Sequence, residues 1–153
     1  MGIEIERKFL VNGNAWKAAG TGVPYRQGYL STDKDRVVRV RTMGNRAALT
    51  VKGAPEGLRR LEFEYEIPLH DAEQLLDLCT NPLVEKTRYR VEAGPVTWEV
   101  DEFHGLNQGL VIAECELETE DQVVEKPEWI AEEVTGDPRY YNSHLVLKPF
   151  TTW

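Results

Sequence analysis

The chain has 153 residues, enough to bury one hydrophobic core and too few for two domains of ordinary size. It carries 18 Lys and Arg against 26 Asp and Glu, a net charge of −8, which excludes a protein that coats DNA or RNA through a basic surface. The charge is unevenly divided: residues 1–90 are basic on balance, and residues 91–153 hold three basic side chains (Lys126, Arg139, Lys148) in a strongly acidic segment.

No run of the sequence reaches the roughly 18 apolar residues of a membrane helix, and Met1 to Lys8 alternates charge where a signal peptide would be apolar. Gly2 does not open a myristoylation motif, because position 6 is Glu. A cytoplasmic protein with no membrane or nucleic-acid partner is the expectation. Cys79 and Cys115 are too few for a disulfide framework, and His70, His104 and His144 lack the spacing of a zinc site.

The dominant hydrophobic period is two. It predicts strands at Ile3–Val11, Pro24–Leu30, Arg36–Thr42, Ala47–Lys52, Arg59–Leu69, Val84–Val91, Val96–Phe103 and Leu110–Glu118. Gly44-Asn45 and Gly94-Pro95 read as hairpin turns. Helical spacing appears at His70–Leu78, where Asp71 is a candidate cap, and more weakly at Pro127–Val134 and Arg139–Leu145. With no repeat or linker, residues 1–153 read as a single β-rich (α+β) domain with peripheral helices.

Within the strands, charges occupy alternate positions. Glu4, Glu6 and Lys8 oppose Ile3, Ile5 and Phe9; Arg60, Glu62, Glu64 and Glu66 oppose Leu61, Phe63, Tyr65 and Ile67; Glu114, Glu116 and Glu118 oppose Ala113, Cys115 and Leu117. An antiparallel sheet with one wet face shows the same alternation. Here, however, the polar faces are nearly all charged, with like-signed doublets, in eight consecutive strands. Closing the sheet into a barrel would turn those faces into a lumen of small-ligand size. Carboxylates and cations lining such a lumen imply a metal and an anion as its contents.

Glu4-Ile5-Glu6-Arg7-Lys8 resembles the N-terminal ExExK signature of the CYTH superfamily, the triphosphate tunnel metalloenzymes. Further matches follow in order: Arg26 to Leu30, Arg39-Val40-Arg41, Thr50-Val51-Lys52, Arg60 to Glu64, Glu85 to Tyr89, Trp98 to Phe103, Glu114-Cys115-Glu116, Glu132 to Thr135, then Arg139-Tyr140 and Asn142. The likeness is greatest to the short bacterial members that act on inorganic triphosphate. It implies an eight-stranded antiparallel closed barrel and divalent-metal-dependent hydrolysis of triphosphate to pyrophosphate and phosphate.

The resemblance implies a clamp of Lys8, Arg39, Arg41, Lys52, Arg60, Lys86 and Arg88, with Arg139 closing on the terminal phosphate. Guanidinium forks and mobile ammonium groups suit a polyanion. Mg²⁺ or Mn²⁺ would be held by Glu4, Glu6, Glu114 and Glu116, with Glu62 and Glu64 as second-rank ligands or neutralisers of arginines, and Asp101 and Glu99 similar. Lys8 or Lys86 would assist proton transfer and Tyr29 would orient water. The alternatives are an adenylyl cyclase, a thiamine-triphosphatase or a nucleoside-triphosphatase on the same scaffold, or a module that binds polyphosphate without turnover. A homodimer through an outer barrel face is left open.

Overall fold

The computed structural model describes residues 2–153. Nine strands form: β1 (Ile3–Val11), β2 (Gly22–Ser31), β3 (Arg36–Met43), β4 (Arg46–Gly53), β5 (Arg59–Ile67), β6 (Val84–Ala93), β7 (Val96–Phe103), β8 (Val111–Glu116) and β9 (Ile130–Glu133). Their order is β5-β4-β3-β2-β6-β7-β8-β1-β9, every pair is antiparallel, and β5 also pairs with β1. That last pairing closes eight strands into a barrel, the architecture expected from the alternating faces. Gly44 and Gly94 take positive φ at the two predicted hairpin turns, a conformation glycine adopts without steric cost.

The ninth strand corrects the helix expected at Pro127–Val134. β5 pairs with β1 only through Ile3, Glu4 and Ile5, so the same edge of β1 is uncovered further along. β9 takes it over, setting Phe9 opposite Glu133 and Val11 opposite Ile130, and the Val134 N–H donates to the Lys8 carbonyl. Open backbone groups on that edge outweigh a weak helical period. The expected helix at Arg139–Leu145 is also broken, into a 3₁₀ turn at Pro138–Tyr140 and a four-residue helix α2 (Asn142–Leu145). Helix α1 (Leu69–Asp77) forms close to the expected place, but Pro68 precedes it and Asp71 lies in its first turn without capping it.

Outward-facing apolar residues are covered in two places. Ile5, Phe9, Trp98, Val100, Ala113 and Cys115 lie beneath Trp16, from a 3₁₀ turn at Ala15–Ala19, and beneath Val124, Trp129 and Ile130. Phe9 and Trp129 both meet the Trp98 ring edge-on, at centroid distances of 5.5 and 5.9 Å. Val40 and Ala47 lie beneath Ala72 and Leu76 of α1.

A third apolar cluster is inside the barrel. The inward face of β1 runs Glu4, Glu6, Lys8 and then Leu10; that of β3 starts at Val37 before Arg39 and Arg41. β6 starts at Val84 before Lys86, β7 ends at Phe103 after Asp101, and β8 has Ile112 before Glu114. The register sets Leu10 against Ile112, and Lys86 against Phe103, so all these apolar positions gather at one end. Tyr140, Leu145 and Val146 pack onto them and plug that end. The inward faces therefore switch from charged to apolar at a common level, and the lumen is a chamber closed at one end by the C-terminal segment.

Candidate active site

The chamber holds about 280 Å³ and is lined by charged side chains from β1, β3, β4, β5, β6, β7 and β8. Glu4, Glu6, Lys8, Arg39, Arg41, Lys52, Arg60, Glu62, Glu64, Lys86, Arg88, Glu114, Glu116 and Tyr29 all face it, as alternation requires. Arg139 does not. Its guanidinium is exposed, paired with Asp137 at 2.8 Å and placed over the Tyr140 and Trp153 rings. Pro138 and the Asp137 side chain fix a tight turn there, which directs Arg139 away from the lumen.

Carboxylates and cations are partly segregated in the ring of strands. β8, with Glu114 and Glu116, lies four strands from β3, with Arg39 and Arg41, which in an eight-stranded ring is the opposite wall. β1 adds Glu4 and Glu6 beside β8, and the register sets Glu6 directly across from Glu116.

Crowding of like charges is felt in the acidic half. Burial, then Glu114 and Glu4, push the Glu6 carboxyl up to about 8, although some of its surface still meets chamber water. Burial is also the chief cause raising Glu4, against Lys52, which sits 3.3 Å from Glu4 and 3.2 Å from Glu62. Glu116 is raised by burial and by Glu4 and Glu99. Glu114 behaves oppositely: burial would raise it, but Lys8, Arg88 and Lys86 outweigh that and hold it well below the carboxylate range. Lys8 approaches it to 3.5 Å and Arg88 to 2.9 Å.

The cations differ in how far they are already neutralised. Arg88 grips Asp101 with two bonds of 2.7 and 2.8 Å and also reaches Glu114 and Glu99. Arg41 donates to Glu64 at 3.1 Å, and Lys86 lies 2.8 Å from Asp101. Arg60 donates to the Gly53 and Lys34 carbonyls. Arg39 is 8% exposed, has Thr50 Oγ1 at 3.2 Å as its side-chain partner, and has an Nε without any acceptor. Among the described residues no carboxylate pairs with Arg39 or Arg60. A buried guanidinium left in that condition is costly unless an anion arrives.

The two candidate lysines are set apart by their surroundings. Burial, helped by Arg88 and opposed by Asp101, brings Lys86 down to about 7. Lys8 is raised: burial would lower it, but Glu114, Glu6 and Glu4 prevail. Tyr25, to which the sequence motifs assign no role, also belongs to the site. Its ring lies 5.1 Å from Arg88, 5.2 Å from Arg41 and 5.9 Å from Lys86, so one aromatic ring serves three cations. The period-two series Tyr25, Gln27, Tyr29 in β2 is the signal that could have found it.

The family model of the CYTH domain matches residues 2–141, nearly the whole chain. The chain belongs to the CYTH family. Among CYTH relatives, the chain is 56% identical over 151 residues to an inorganic triphosphatase of Acetivibrio thermocellus, covering 98% of this chain and 97% of that protein. It is 40% identical over 151 residues to an inorganic triphosphatase of Nitrosomonas europaea, covering 94% and 97%. The crystal structure of an inorganic triphosphatase superposes with a TM-score of 0.65 at 35% identity, over 94% of this chain and 97% of the other. Membership of this family implies a divalent metal.

Proposed function

We propose that this CYTH protein hydrolyses inorganic triphosphate to pyrophosphate and phosphate within the barrel. The observation that carries the reading is Arg39, buried and without a carboxylate partner among the described residues, on the wall opposite the glutamates of β8. A small ion of high negative charge satisfies that guanidinium and suits a chamber of about 280 Å³. Two relatives that span almost the same length are inorganic triphosphatases, which supports the same substrate.

The residues present suit a hard divalent cation. Glu4, Glu6 and Glu116 offer only oxygen donors, and their raised carboxyls mark negative charge that a cation would relieve. Among the described residues no three acidic, histidine or cysteine side chains are grouped closely enough to hold a metal by themselves. Mg²⁺ or Mn²⁺ would be held there by one or two of these carboxylates together with oxygens of the substrate. Once bound, such an ion screens the phosphate oxygens and makes water a better nucleophile.

The protein's own groups divide the remaining work. Arg39, Arg41 and Lys52 bind and orient the polyphosphate, and Arg88, held by Asp101, adds its charge at a fixed place. Lys86, lowered to about 7, is better suited than Lys8 to exchange a proton near neutrality. Tyr29, which lines the chamber, would orient water there.

The test is release of phosphate from triphosphate by purified protein with Mg²⁺ or Mn²⁺, beside parallel reactions on ATP and pyrophosphate. Equimolar phosphate and pyrophosphate from triphosphate are expected. Faster turnover of ATP, with ADP or cyclic AMP as product, replaces the proposed substrate; triphosphate left intact across metals and pH overturns the reading.

A further inference from the structure

Asn142 is on α2, outside the strands, yet its side chain reaches the chamber. Its Oδ1 accepts from Lys86 Nζ at 3.0 Å and from Gln27 Nε2 at 2.9 Å. The same Gln27 nitrogen donates to the Tyr29 hydroxyl at 3.1 Å. Three elements are thereby joined: β6 through Lys86, β2 through Gln27 and Tyr29, and the C-terminal segment that plugs the barrel.

The direction of every bond follows from one group. A protonated lysine can only donate, so the atom facing Lys86 has to be the Asn142 oxygen. That oxygen in turn requires a donor from Gln27, which turns the glutamine nitrogen toward it. With both hydrogens of that nitrogen committed, Tyr29 is an acceptor from Gln27 and its own proton is available to another partner. The cost is visible in the opposite end of the amide: Gln27 is fully buried, and its Oε1 has no partner among the described residues. Turning the amide over would let Tyr29 donate to the glutamine oxygen, but it would set oxygen against oxygen at Asn142, which Lys86 holds in place. Since Tyr29 lines the chamber, the direction left for its proton is toward the bound substrate or water.

We infer that Gln27 and Asn142 are positioning residues, which fix the Lys86 ammonium at the closed end of the chamber and leave the Tyr29 hydroxyl as a donor into it. The inference rests on the triphosphatase reading. It makes the C-terminal segment part of the active site by way of Asn142, whose one oxygen is shared by Lys86 and Gln27. Lys86 then has two fixed acceptors, Asp101 at 2.8 Å and Asn142 at 3.0 Å, above the Tyr25 and Phe103 rings, with Arg88 and Glu114 as the other charges that act on it.

The experiment compares Asn142→Ala, Asn142→Asp, Gln27→Leu and the double variant Gln27→Leu/Asn142→Ala with the wild type, measuring kcat and KM for triphosphate and thermal unfolding. Loss of a hydrogen bond to a charged donor predicts a fall in kcat of about tenfold or more for Asn142→Ala. KM is expected to stay within about threefold, because the phosphate contacts are untouched. Asn142→Asp keeps an oxygen for both donors but adds a negative charge that raises Lys86, so most of kcat is expected to return only at a pH above the wild-type optimum. The double variant is expected to be no more than about twofold worse than the poorer single, as for groups acting in one relay. Wild-type kcat in Asn142→Ala overturns the inference. So does a loss in Asn142→Asp as large as that in Asn142→Ala at every pH, or a loss that follows unfolding temperature alone. If Gln27→Leu does not fold, the two Asn142 variants decide. A wild type that releases no phosphate is a different result, and refutes the triphosphatase reading itself.

Discussion

Arg39→Met is expected to separate binding from stability, with opposite effects on the two. The substitution keeps an unbranched apolar stem and removes the guanidinium with its charge. In the folded protein without substrate, Arg39 gives up hydration for one bond to Thr50, and it adds to the burial that lowers the neighbouring Arg41. Losing the Thr50 bond costs about 0.5–1.5 kcal/mol. Replacing poorly compensated buried charge with apolar atoms returns about 1–4 kcal/mol. The net is a protein of unchanged or greater stability, by up to about 3 kcal/mol, which for a chain of this size raises the unfolding temperature by roughly 2–4 °C per kcal/mol. Triphosphate binding moves the other way. Each charge-assisted bond from guanidinium to phosphate is worth about 1.5–3 kcal/mol, so loss of one weakens binding about tenfold to 150-fold. The assays are thermal unfolding in chelator with and without triphosphate, and steady-state release of phosphate. A variant that melts more than about 5 °C below wild type without substrate, or that keeps wild-type KM, refutes the reasoning.

Three further outcomes are expected. In chelator, the wild type loses stability as pH rises from about 4.5 to about 8, because the unfolded chain gives up the Glu6 proton at its ordinary pKa while the folded chain keeps it until about 8. Glu6→Gln removes that part of the slope and raises the unfolding temperature at pH 8; curves of unfolding temperature against pH that superimpose for wild type and Glu6→Gln would contradict the cause assigned here. If neutral Lys86 accepts the proton, kcat climbs through a pH of about 7 and levels off above it, and Lys86→Arg abolishes turnover at every pH; a profile flat across neutrality counts against that role. Arg139→Ala is expected to leave kcat and KM within about twofold, since its partner Asp137 is an exposed surface pair, and a large rise in KM would return Arg139 to the site.

Much of the site was legible because strand geometry is simple. A period of two assigns side chains to faces whatever the final fold, so the inward positions of Glu4, Glu6, Lys8, Arg39, Arg41, Lys52, Lys86, Arg88, Glu114 and Glu116 could be read directly. The C-terminal segment was not legible in this way. Its period is weak, and whether Ile130–Glu133 becomes helix or strand depends on an uncovered edge of β1 more than a hundred residues away. Arg139 was misplaced for a related reason: in a turn, the direction of a side chain follows from local bonds such as Asp137 to Arg139, which no periodicity encodes.

The net charge of −8 speaks against a polyanion as partner only so far as it describes the exterior, and it says nothing of how charge is arranged inside. Sequence alone determined the eight strands of the barrel, the faces on which charges lie, and the family, because these follow from local alternation and ordered motifs. Only the tertiary structure decided which charges neutralise one another. Arg88 is consumed by Asp101, Glu99 and Glu114, whereas Arg39, identical in chemistry and equally buried, is left with a hydroxyl. That difference depends on which strands are neighbours in the ring: β6 lies beside acidic β7, and β3 lies between β2 and β4, whose chamber-facing residues carry no carboxylate. The capacity to hold a small polyanion thus comes from the closure of the barrel, which distance along the chain does not reveal.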